Sequence, residues 1–145
     1  MPLADGDFTG EVETEWILAT LGALGNVYET EVSDAADLPR SGNLVEPYIV
    51  VRFAAPFASA VGRNIATGEQ GQPHTLSFTV IVGSGTAEWT RKTMNRVNKA
   101  LTGKLASNTS SPIKATGGLQ YPTPAIGASP MRYQKAQFFR LDINV

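Results

Sequence analysis

Residues 76–82 alternate without a break, with Leu76, Phe78, Val80 and Val82 on one side and Ser77, Thr79 and Ile81 on the other. A side-chain period of two gathers the large apolar groups on a single face, so this chain has to build a sheet and bury one side of it. Three further stretches read as strands. Residues 48–53, Tyr-Ile-Val-Val-Arg-Phe, are apolar on both faces except for Arg52, as expected of a central strand covered from two sides. Residues 27–32 place Tyr28, Thr30 and Val32 opposite Glu29 and Glu31, which predicts a half-exposed strand. Residues 137–145 set Phe139, Leu141, Ile143 and Val145 against Phe138, Arg140, Asp142 and Asn144.

Two segments carry helical spacing. Over residues 9–24, Trp16, Ile17, Thr20, Leu21 and Leu24 recur on one side, while Glu11, Glu13 and Glu15 sit near the start, where carboxylates suit the helix dipole. Residues 86–102 align Trp89, Thr93, Met94, Val97, Ala100 and Leu101, and Arg91, Lys92, Asn95, Arg96 and Lys99 project from the other side. Gly103 is a natural terminator. Residues 33–47, 54–75 and 104–135 are rich in turn formers and read as loops, the last two long enough to be functional or to order on a partner. The patterns together predict one α and β domain spanning 1–145, with about four strands and two main helices.

Composition narrows the function. A chain of 145 residues has room for one core, and 42% hydrophobic against 17% charged residues is globular rather than disordered. A formal net charge of -1 argues against affinity resting on overall phosphate neutralisation. Without cysteine there is no disulfide framework and no thiolate metal site, and the single histidine, His74, makes an uncommon ligand set for zinc or iron. The segment 1–7 lacks a signal-peptide pattern and no apolar run is long enough to span a bilayer, so a soluble product without a membrane partner is expected.

Each candidate for chemistry meets a plainer explanation. The turn Val82-Gly83-Ser84-Gly85-Thr86 joins a strand to a helix, where backbone amides could meet a phosphate, but Glu88 stands where a dinucleotide fingerprint needs its third glycine and there is no Gly-Lys-Ser/Thr. Ser84 lacks the glycines two residues away that a nucleophile elbow requires. The carboxylates of the first helix and the 27–32 strand are explained by helix-start electrostatics and an exposed face. No catalytic, cofactor or metal residues are assigned, and an enzyme is not expected. The basic face of the second helix could touch phosphates or an acidic protein, although no aromatic side chain is interleaved there for base stacking.

The order of elements, Pro47 to Phe53, then Gly62-Arg63-Asn64-Ile65, then 76–82, then a helix ending Ala100-Leu101-Thr102-Gly103, resembles the tail terminator proteins of long-tailed bacteriophages, particularly those of actinobacterial hosts. The resemblance covers about residues 28–145 and rests on order and spacing rather than on a sharp motif. It implies an α+β fold, a mixed, mainly antiparallel sheet of about four strands flanked by two main helices, in a virion subunit at the neck end of the tail, assembled in the host cytoplasm. It further implies a homo-oligomer, a hexameric ring, that caps the tail tube protein, meets a head-side connector or stopper protein, and lets genomic DNA pass without sequence-specific binding. Arg52, Arg63, Arg91, Lys92, Arg96, Tyr121 and Phe138 are the candidate subunit or partner contacts. Phe138 stands out because it lies opposite the expected core face of its strand. The alternatives are another neck or tail-completion subunit, or a nucleic-acid-binding module using the second helix.

Overall fold

The structure, a computed structural model, describes residues 10–30, 38–54, 57–58, 73–118, 121–125 and 131–144. In chain order the elements are α1 (Glu11–Gly22), β1 (Asn26–Glu29), β2 (Arg40–Ser41), β3 (Leu44–Val45), β4 (Tyr48–Phe53), β5 (Phe57–Ala58) and β6 (Pro73–Ser84). They continue with α2 (Ala87–Leu101), β7 (Lys114–Gly118), β8 (Thr123–Pro124) and β9 (Tyr133–Asn144). The main sheet runs β1-β4-β6-β9-β7, with the short β5 pairing to β6 and β8 to β9. Among the described strands of this sheet β1 and β4 form the one parallel pair, so the sheet is mixed and mainly antiparallel, the arrangement that the resemblance implies.

The strand count is higher than the expected four or so, because pairing recruits segments without a hydrophobic pattern. β7, Lys-Ala-Thr-Gly-Gly, is exposed throughout and lies inside the stretch 104–135 expected to be loop; it forms because the long β9 offers it a ladder. The same stretch holds β8 and the start of β9, and its first part is tied down as well. Gly103 N–H donates to the Ile113 carbonyl, Ile113 N–H donates to Lys104, and Ala106 and Ile113 are buried. Residues 33–47 are not wholly loop either: β2 and β3 form a hairpin across Gly42-Asn43, with Gly42 at φ 64.

β6 and β9 extend beyond their apolar runs, to twelve residues each, and pair along their whole length. β1 stops at Glu29, short of Val32, because Thr30 turns the chain with φ 80. β1 is also not half-exposed by faces: Val27 packs on the main core and Tyr28 on a second cluster behind the sheet.

Both helices lie on one face of the sheet rather than one on each side. Ile17 and Leu21 of α1, with Met94, Val97 and Leu101 of α2, close over Ile49, Val51, Leu76, Phe78, Val80, Val82, Phe139, Leu141 and Ile143. Of the expected α2 stripe Thr93, Met94, Val97 and Leu101 are buried and Thr90 joins them, whereas Trp89 and Ala100 are only half-buried; Thr86 caps the helix, its Oγ1 accepting from the Trp89 N–H at 3.1 Å. At one end of the core, Phe53, Phe78 and Phe139 align in register across three strands, with ring centroids 5.7 and 5.2 Å apart. Among the described residues the reverse face is covered at its other end, where the β2–β3 hairpin brings Leu38 and Val45 onto Tyr48 and Val50.

Candidate functional site: the open sheet face

Strand alternation decides what the uncovered part of the reverse face carries. One row across the sheet reads Arg52, Thr79, Phe138, Gly117, and the next reads Ala54, Ser77, Arg140, Lys114. Arg52, Ala54, Ser77, Thr79, Phe138 and Arg140 of these rows line a shallow concavity of about 550 Å³. Phe138, 47% exposed, stands in it between Arg52 and Arg140. Arg52 is oriented by a 2.8 Å hydrogen bond from its Nε to the Thr30 carbonyl, so the turn at Thr30 holds the guanidinium at the edge of the concavity. Arg140 Nη2 lies 3.8 Å from Asp142 Oδ2, and Asp142 Oδ1 accepts from Thr75 at 2.8 Å. The surface is thus cationic, with a central aromatic ring.

The remaining candidate residues lie elsewhere. Arg91, Lys92 and Arg96 are exposed on α2, on the far side of the helix layer from the open face. Lys92 pairs with Glu88 at 3.0 Å, and that hydrogen bond and charge hold the Glu88 carboxyl below its ordinary value, with Arg91 adding to the effect. Lys92 and Arg96 also border a second concavity of about 430 Å³ with Trp89, Pro47 and the carboxylate-bearing Glu46. Tyr121, 68% exposed, leads into β8, and Arg63 lies outside the described residues. The structure therefore joins Arg52 with Phe138 and separates both from the α2 cations.

The turn after β6 owes its glycines to packing. Tyr48 occupies the space in which a Cβ on Gly83 would stand, and Gly85 lies against the backbone of Leu44 and Val45, its N–H donating to the Val45 carbonyl at 2.8 Å. Ser84 is buried; its Oγ donates to the Thr86 carbonyl at 2.7 Å and lies 2.7 Å from Thr90 Oγ1. Thr90 Oγ1 is also 3.2 Å from the Tyr133 carbonyl, so this hydroxyl pair fastens α2 to β9. His74 is a buried strand residue paired with Ile143 and Ala58.

Sequence reasoning passed over Arg132, which is buried with its guanidinium carbon 5.7 Å from the centre of the Tyr48 ring. No periodicity marks it, since it precedes the first residue of β9; its position emerges only when β9 is laid beside β6. Lys114 and Arg140 were likewise invisible as neighbours until β7 was in register.

Among the described residues no group of three or more His, Cys, Asp or Glu side chains is placed to hold a metal ion, and no helix is long and apolar enough to cross a membrane. Compared with protein-family models and with curated proteins, the chain matches none.

Proposed function

We propose that this chain is an assembly subunit rather than an enzyme, and specifically a tail terminator of a long-tailed bacteriophage, acting in the virion as a homo-oligomeric ring. In this reading the ring, a hexamer, caps the tail tube protein, stops tube growth, and offers its other side to a head-side connector or stopper, with DNA passing through the lumen.

One observation supports the reading most: among the described residues the helices cover one side of the sheet, and the other side presents an exposed Phe138 in a row with Arg52 and next to Arg140. An aromatic ring rimmed by cations on an otherwise uncovered sheet is the composition of a contact surface. The resemblance of the sequence, in the order and spacing of its elements, suggests the particular family. In negative-stain images the purified protein should form rings, and tube protein added to it should yield capped tubes of limited length. Persistent monomers that never bind tube ends would remove the proposal. A second reading rests on the exposed basic face of α2. If it holds, replacing Arg91 and Lys92 lowers DNA affinity and flattens its salt dependence; undetectable binding at low salt eliminates it.

A further inference from the structure

We infer that the open sheet face receives the acidic start of α1 from a second copy of this chain, in a head-to-tail contact; the inference rests on the assembly-subunit reading. The receiving surface carries three cations, Arg52, Arg140 and Lys114, around Phe138. The carboxylate beside them, Asp142, is already engaged by Thr75 and Arg140. The exposed side of α1 is the complement: Glu11, Val12 and Glu15, followed by the small Ala19. Val12, 64% exposed, is like Phe138 a large apolar group left open among the described residues.

Spacing agrees as well as charge. Glu11 and Glu15 are one helical turn apart, about 6 Å along the axis. Arg140 stands two residues from Phe138 on β9, about 7 Å, and Arg52 lies two strands across, about 10 Å. A helix laid on the face with Val12 against Phe138 can therefore direct one carboxylate to Arg140 and the other toward Arg52.

The two surfaces cannot meet within one chain, because α1 packs on the opposite side of the sheet. Two different patches on one molecule give a heterologous contact in which every copy donates a helix and receives one, and such a contact closes into a ring or continues as a filament. A single-stranded nucleic acid is a poorer fit to the same face, since a stacking platform uses successive exposed rings, and of the four phenylalanines lining the concavity Phe78 and Phe139 are buried in the core and Phe53 packs against it, which leaves Phe138 as the exposed one.

The chain has no cysteine, so engineered thiols report this contact alone. The variant carrying both Val12→Cys and Phe138→Cys, oxidised and run on a non-reducing gel, should give a ladder of covalent oligomers. A mixture of the two single variants should stop at dimers. Both positions are exposed, and a far-UV circular dichroism spectrum unchanged from the parent verifies the fold. Charge reversal supplies a second arm: Glu15→Lys or Arg140→Glu alone should weaken assembly in light scattering, and the two together should restore it. Oligomers that form without any cross-link would overturn this contact and leave the assembly reading standing. A protein monomeric at every concentration would overturn both. Oligonucleotide binding that is lost in Phe138→Cys, with no cross-link, would replace the helix by nucleic acid.

Discussion

Tyr48 and Gly83 are direct partners across β4 and β6, and the phenol ring fills the position that any side chain on residue 83 would need. The ring is fixed from three sides: Tyr28 meets it edge-on at 6.3 Å, the Arg132 guanidinium lies 5.7 Å from its centre, and Gln134 Nε2 donates to its hydroxyl at 3.1 Å. Gly83→Ala must displace this ring and should cost about 1–3 kcal/mol, the range for overpacking a filled site. Urea denaturation followed by tyrosine fluorescence checks it. Tyr48→Phe should cost only about 1 kcal/mol, the value of one hydrogen bond.

Ser84 and Thr90 share one buried polar network, so their substitutions should not add. Thr90→Val leaves the Tyr133 carbonyl without this partner and should cost about 1–3 kcal/mol. Adding Ser84→Ala to it should cost less than the same change in the parent protein. Equal effects in a double-mutant cycle would show that the two hydroxyls act independently.

The Glu88–Lys92 pair predicts a modest pH dependence whose sign follows from the direction of the shift. The carboxyl titrates lower in the folded chain than its ordinary 4.5, chiefly through the Lys92 hydrogen bond. Its stabilising contribution is therefore complete above the unfolded value and disappears as the pH falls through the folded one. Lys92→Met should melt slightly below the parent at neutral pH and coincide with it in acid. Thermal melts across that range, repeated in high salt, should show the gap closing in both cases, because both side chains of the pair are exposed to solvent.

Adjacent residues of β9 should divide stability from assembly. Phe139 is buried in the aromatic row, and Phe139→Ala should cost about 3–5 kcal/mol. Phe138 lies on the open face, and Phe138→Thr should change stability by about 0.5 kcal/mol while weakening self-association. Chemical denaturation and sedimentation of the two variants separate the effects; a monomeric Phe138→Thr protein that is also unfolded would contradict the assignment.

Much of this was readable before any coordinates, and the parts that were not share a physical cause. Leu76, Phe78, Val80 and Val82 announce β6 because burial on one face imposes a period of two, and the α2 stripe does the same at helical spacing. β7 could not be read because its five exposed residues are selected by a ladder and not by a core. The extension of β6 back to Pro73 has the same origin, as does the hidden Arg132. Phe138 was legible as an apolar residue on the wrong face; its grouping with Arg140 and Lys114 required the register of β7 on β9.

The full-length pairing of β6 with β9 also bears on how the molecule comes into being. The ladder joins Ser84 to Tyr133 at its nearest ends, so α2, β7 and β8 must all be spanned before the first bond between these strands can close. Closing a loop of that size delays the reward until late, which favours slow acquisition of the native sheet over rapid local zippering. Until β9 arrives, β6 offers a twelve-residue row of unsatisfied amides and carbonyls to any other nascent copy. A polypeptide interrupted before residue 133 should consequently precipitate rather than persist as a partly folded species, and the hazardous interval in biogenesis is the one in which residues 85–132 are being made.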